Sequence, residues 1–173
     1  MKKTLLLPCA VALCLAACSP KINTDGWKEK EAQGYELECP PEAMIFQAND
    51  EGEILFQISM KGMNTLIAAH DHVGGLENLA AKVVEELPTQ FDNVRVQSNE
   101  AMKLSGRNGQ GISYMVDYKN GGGNAAAADW RVFSFLFQED GKFFEYRFMG
   151  KGDSYDAELQ RSKDIFSTFE KED

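Results

Sequence analysis

WRVFSFLFQEDGKFFEYRF, Trp130 to Phe148, carries an aromatic residue at nearly every second position on both sides of Asp140-Gly141. Asp-Gly is a strong signal for a two-residue hairpin turn. With the turn placed there, Phe137 faces Phe144, Phe135 faces Tyr146 and Phe133 faces Phe148. Three aromatic pairs then stack on one face of the hairpin, each worth up to about 1 kcal/mol beyond plain burial. On the other face Ser134 meets Arg147 and Leu136 meets Glu145, a more polar set that is expected to be partly wet.

Outward from this hairpin, Ile112, Tyr114, Val116 and Tyr118 line one face of a preceding strand. The glycine-rich stretch Gly106–Gly111 lacks the Gly-Lys-Ser/Thr of a phosphate loop, and Asn108-Gly109 within it reads as a hairpin turn. Val94–Val96 and then Met102 and Leu104 form earlier strand segments. Before them, Leu76, Leu79, Ala80, Val83, Val84 and Leu87 recur at helical spacing, which predicts an amphipathic helix closed by Pro88. Further toward the N-terminus, Tyr35–Cys39, Ala43–Ala48 and the alternating Ile54, Phe56, Ile58 and Met60 read as strands, with a turn at Asn49–Gly52. After the hairpin, a second helix is expected from Ser154 to about Phe169. Tyr155, Leu159, Phe166 and Phe169 point inward, with Asp153 or Ser154 as N-cap. The expected class is α+β: an antiparallel sheet of six or seven strands, one mid-chain helix and one C-terminal helix. The absence of a strand–helix–strand rhythm argues against a doubly wound nucleotide fold.

This order of elements is similar to that of the PsbP-like and DcrB-like proteins. The likeness runs from about Tyr35 to Glu170 and rests on "LENLAAKVVEEL", "GISYMVDY", the aromatic hairpin and "DAELQRSKDIFSTF". It implies an α/β/α sandwich with a central antiparallel sheet, and a non-catalytic module that docks on or supports other envelope components. The Gly121–Ala128 loop is longer than the pattern requires, and no binding residue of that family carries over.

The N-terminus supplies an address. Lys2 and Lys3 precede an apolar run from Leu5 to Ala17, the length of a secretory signal rather than of a permanent span. Leu15-Ala16-Ala17-Cys18 resembles the lipobox of bacterial lipoproteins. That resemblance implies cleavage before Cys18, acylation of Cys18, and stable anchoring by two or three chains. Residues 1–17 are thus read as the signal, 18–34 as a lipidated tether, 35–170 as the domain and 171–173 as an acidic tail. Ser19 after the cysteine resembles the outer-membrane sorting pattern of bacteria with two membranes, with the domain on the periplasmic side. An ordinary signal peptide that happens to end in cysteine is the alternative.

Charge narrows the partners. The chain carries −9, and losing Lys2 and Lys3 with the signal takes this to −11. Such a balance argues against nucleic acid and against adsorption on anionic headgroups. Partners are expected to be the membrane, through the lipid, and an envelope protein. Of four cysteines, only Cys39 remains in the domain, so no disulfide framework is available.

Candidate functional residues are few. His70 and His72 flank Asp71 and could share a zinc, copper or nickel ion if extended, although no third ligand is evident from spacing; otherwise they belong to a polar loop. Trp27 in the tether and Trp130 at the hairpin start are candidate partner anchors. The aromatic face of residues 131–149 could line an apolar ligand pocket. No cofactor is implied. Enzyme signatures such as Gly-x-Ser-x-Gly and His-Glu-x-x-His are missing, and Glu85-Glu86 diverge around a helix. The chain is read as non-enzymatic, with metal or small-ligand binding as the alternative.

Overall fold

The hairpin register deduced above is the one the fold uses. In a computed structural model that describes residues 22–47, 53–61, 63–71, 74–118 and 129–172, β8 (Trp130–Glu139) pairs antiparallel with β9 (Lys142–Gly150). Phe137 lies opposite Phe144, Phe135 opposite Tyr146 and Phe133 opposite Phe148. The turn residues Asp140 and Gly141 both have positive φ, 49° and 79°, as a two-residue turn that follows the strand twist demands. Gln33-Gly34 and Ser105-Gly106 repeat this chemistry at two further hairpins.

Around β8 and β9 assemble β3 (Met44–Gln47), β4 (Ile54–Met60), β5 (Met63–His70), β6 (Phe91–Leu104) and β7 (Arg107–Tyr118). Their order is β3-β4-β5-β9-β8-β7-β6, seven strands with every pair antiparallel. α1 (Leu76–Gln90) packs on β6, β7 and β8 through Leu79, Ala80, Val83 and Leu87. α2 (Tyr155–Phe166) lies on the opposite face, where Phe166 and Ile165 meet Phe133, Phe135, Phe137, Phe144, Tyr146 and Phe148. This is the expected α/β/α sandwich.

Several expectations change. Tyr35–Cys39 forms β2, but not in the central sheet: with β1 (Lys28–Ala32) and β10 (Glu170–Lys171) it makes a separate three-stranded sheet beside α2. The segment read as a tether through Gly34 is therefore folded from Trp27 onward, and the tail read from 171 begins inside a strand. Lys28, Lys30 and Ala32 share a face with Cys39, Leu37 and Tyr35, so a mostly charged strand is fixed by pairing with a buried one. The face of β8 and β9 expected to be partly wet is dry over much of its length, because α1 covers Val132, Leu136 and Met149. Ser134 and Glu145 are buried there too. Pro88 does not close α1. It sits in the last turn, and the helix runs on to Gln90, where the Phe91 N–H bonds the Leu87 carbonyl. α2 ends at Phe166 rather than Phe169, and Ser154 occupies the N-cap position without a side-chain cap bond. The signal segment, the Asn49–Gly52 turn and the Gly121–Ala128 loop lie outside the described residues.

Asn108-Gly109 is not a turn either. Both residues lie in β7, opposite Lys103 and Met102, and the turn is Ser105-Gly106. Gly109 is required for close approach instead: a Cβ there would strike the Leu136 carbonyl oxygen and come within 2.6 Å of the Phe135 ring. Gly109→Ala should destabilise the protein by about 1–3 kcal/mol in urea titration. Gly111→Ala should cost less, because the atom it meets first is the sulfur of Met102, a flexible side chain that can move.

Candidate functional site

Pairing across the sheet shows which side chains share the α1 face. One row runs Phe46, Gln57, Leu66, Arg147, Ser134 and Ile112, because directly opposed residues point the same way. A neighbouring row begins at Met44 and ends at Val132 and Tyr114, under α1. α1 packs mainly on β6, β7 and β8 and reaches Phe143 and Met149 of β9, whereas no described helix packs substantially on this face of β3, β4 and β5. Met44 is 61% exposed, Phe46 56% and Ile54 38% on that uncovered half. Three large apolar side chains on one side of a sheet edge form a concentrated patch, unlike singly scattered ones.

Where the covered and uncovered halves meet sits a buried carboxylate. Glu145 is 1% exposed, on β9. Arg147 donates to it through Nε to Oε1 at 2.7 Å and Nη2 to Oε2 at 2.9 Å, a bidentate pair. His70, the last residue of β5, places Nε2 3.2 Å from Oε2. The acceptor is a carboxylate, so Nε2 carries the proton. Ser134 also donates to Glu145. That leaves the Tyr114 hydroxyl, 3.4 Å from Ser134 Oγ, as donor to the serine. Burial pushes the Glu145 carboxyl up, but the Arg147 charge and the bonds from His70, Arg147 and Ser134 outweigh it and hold the group at about 2.

The order within this cluster decides its chemistry. Nucleophilic catalysis places an imidazole between a hydroxyl and a carboxylate, so that the ring removes the hydroxyl proton. Here the carboxylate lies between Ser134 and His70, and Ser134 is fully buried. The arrangement can orient His70 and Arg147 at the border of the exposed half-face; it cannot activate Ser134 in that way.

The candidate residues are placed as follows. His70 belongs to this cluster; His72 lies outside the described residues, as does Cys18. Trp27 is half-buried against the α2-side core rather than free in a tether, with its N–H bonded to the Thr24 carbonyl at 2.8 Å. Trp130 is half-buried beside the α1-side core, with the Lys151 ammonium 5.0 Å from its ring centroid. The aromatic face of residues 131–149 is filled by Phe166, Phe169 and Tyr35, which pack against it as core. Cys39 is fully buried, and burial pushes its thiol up to about 12. The Cys39 thiol should therefore be unreactive toward Ellman's reagent in the folded domain and react after denaturation.

Two further features lie on the α2 side. The outward face of the small sheet brings the carboxylates of Glu29, Glu31 and Glu36 within 4.8 Å of one another. Partial desolvation, and the charges of Glu29 and Glu170, push the Glu36 carboxyl up. Beside it a groove of about 850 Å³ is lined by Ile22, Leu37, Met102, Leu104, Glu36 and Lys163, among others.

Sequence reasoning missed Glu145, Arg147, Met44 and Phe46 as a group. The available signal was the pair of amphipathic helices: if they cover opposite faces of one sheet, a glutamate on either face of the central hairpin is buried.

No family model matches the sequence, and no curated protein is similar to it at a significant level. Solved structures do match. The cyanobacterial PsbP protein CyanoP of Synechocystis sp. PCC 6803 is similar over 91% of this chain and 98% of its own, at 13% identity and a TM-score of 0.57. The Ran-binding protein Mog1p of Saccharomyces cerevisiae is similar over 85% of this chain and 96% of its own, at 12% identity and a TM-score of 0.55. At such identities the likeness defines the class of fold: an α+β sandwich of PsbP-like architecture.

Proposed function

We propose that this chain is a lipid-anchored, non-enzymatic interaction module of the bacterial cell envelope. Cys18 carries the lipid, and the domain binds an envelope protein. The observation that carries this reading is the uncovered half-face with Met44, Phe46 and Ile54 exposed at its edge. Apolar side chains held on a rigid sheet, bordered by the ordered Arg147 and His70, provide the anchors and polar rim of a protein interface. The fold supports the reading by analogy, since one protein that shares it is a Ran-binding protein.

The test is affinity capture of the tagged, lipidated protein from detergent-solubilised envelopes. A stoichiometric partner should be retained by the native protein and lost from a Met44→Glu, Phe46→Glu variant that remains folded. Retention by that variant would remove the half-face from the proposal. Lipidation is tested separately: Cys18→Ser should accumulate as an uncleaved precursor, and an unchanged mature mass would refute the anchor.

Metal binding is the second reading. Its support is the Glu145–His70 bond, since a carboxylate commonly orients a metal-ligating imidazole through its other nitrogen. Zinc titration of the native protein and of His70→Ala decides it: equal affinities, or no binding to either, would end this reading.

A further inference from the structure

The folded segment that replaces the expected tether has a consequence for how the domain stands on a membrane. Trp27 is packed on the core, and Asn23, Thr24 and Asp25 are tied by a turn: the Asp25 N–H bonds Asn23 Oδ1 at 2.9 Å. Ile22 and Thr24 line the groove together with Met102, Lys103, Leu104 and Ser105, at the β6–β7 turn. From Cys18 to Ile22 the chain advances four residues, and four residues span at most about 14 Å when fully extended. A lipid on Cys18 therefore holds this corner of the domain close to the headgroups.

The sheet sets what happens at the other side. β6 and β3 are its two edges, separated by six inter-strand steps, or about 29 Å at the usual spacing of ~4.8 Å. The β6–β7 turn lies on the anchored side, and β3 with Met44 and Phe46 on the far one.

We infer that the lipidated protein stands with its groove and β6–β7 turn against the bilayer surface and its β3–β4 edge directed away from it. This rests on the proposed lipidation of Cys18. The short tether imposes the orientation, and adhesion does not contribute, because the groove presents Glu29, Glu36, Glu38, Asp164 and Glu170 against Lys103 and Lys163. A net acidic surface has no attraction for lipid headgroups of neutral or negative charge. The membrane thus occupies the anchored edge, and the apolar half-face is left to a partner reaching in from the aqueous side.

Fluorescence energy transfer tests this on the lipidated protein in phosphatidylcholine vesicles with headgroup-attached acceptors. Cys39 is buried and unreactive in the folded protein, so a single introduced thiol can be labelled. Lys103→Cys and Gln57→Cys place exposed labels on β6 and β4. The Lys103 label should show transfer at least about twofold higher than the Gln57 label, given their separation across several ~4.8 Å strand spacings. Inserting about twenty Gly/Ser residues before Ile22 should abolish the difference, since a flexible linker of that length frees the domain. Equal transfer from both sites in the unextended, vesicle-bound protein would overturn the orientation while leaving the anchor intact. A difference that survives the insertion would show that adhesion, not the tether, orients the domain. A mature mass without acyl chains would overturn the orientation and the anchor together.

Discussion

Glu145→Ala is expected to destabilise the domain by about 3–5 kcal/mol, because it takes the bidentate partner from a largely buried Arg147 and leaves a void. The Arg147 side chain is 16% exposed and that of Glu145 2%, so neither charge can be fully rehydrated in place. The Ser134 hydroxyl loses its acceptor in the same substitution, at a point with no access to water. Replacing both charges, Glu145→Leu with Arg147→Met, should recover most of the loss, since an apolar pair of similar volume avoids the desolvation that the ion pair must overcome. The measurement is urea unfolding of the native protein and both variants at pH 7. A cost below about 1 kcal/mol for Glu145→Ala would mean that the pair behaves as a surface salt bridge, contrary to its burial.

The same group gives a pH dependence. Its folded carboxyl, at about 2, lies below the ordinary value of 4.5. A depressed carboxyl contributes stability above its unfolded pKa, and the contribution is lost as pH falls toward the folded one. Native protein should therefore lose stability between about pH 4.5 and pH 2 more steeply than Glu145→Gln, which has no charge to lose there. His70 is a partner in this cluster, so its removal should reduce the steepness without eliminating it, because Arg147 supplies the larger part of the effect.

The legibility of this fold follows from which faces are covered. β8 and β9 could be read to the residue because six aromatic residues, Phe133, Phe135, Phe137, Phe144, Tyr146 and Phe148, share one parity and Asp140-Gly141 fixes the turn. β5 was harder: "MNTLIAAH" places apolar residues on both parities, since Met63, Thr65 and Ile67 face the α2 side while Ala68 is buried on the other. Leu66 is only half-buried on that other face, so apolar residues there are not set by burial under a helix, and they blur the period-two signal. β1 is harder still. "KEKEA" buries almost nothing of its own and is held by pairing with Tyr35–Cys39, a long-range fact that composition cannot carry. Asn108-Gly109 misled for the opposite reason, because a glycine needed for ring packing resembles one needed for a turn. The candidate site was half legible. His70 stood out as one of two histidines, but its partner Glu145 sits on another strand, 75 residues away. Exposure of Met44 and Phe46 depends on where α1 stops covering the sheet, and helix periodicity does not specify that.

Phe166→Ala should be the most damaging apolar substitution on α2, at about 3–5 kcal/mol. Its ring is fully buried and stacks on Tyr146 with centroids 4.5 Å apart and planes 20° apart. Phe137 meets it edge-on at 5.4 Å, and Phe135 and Phe169 each lie 6.2 Å away. The Arg107 guanidinium stands 5.5 Å from its centroid while bonding Glu139 and the Phe169 carbonyl. These neighbours are planar rings or a side chain fixed by its own bonds, and such a wall relaxes little into a vacated site. That rigidity favours the upper part of the range, because the cost rises with the cavity that remains. Leu159→Ala, about two turns earlier on a half-buried position, should cost markedly less. Phe166→Leu fills part of the volume but forfeits the ring contacts, each worth about 0.5–1.5 kcal/mol, and should fall between the two. Urea unfolding of the three variants orders them. If Phe166→Ala and Leu159→Ala cost the same, the ring cluster is not what joins α2 to the sheet.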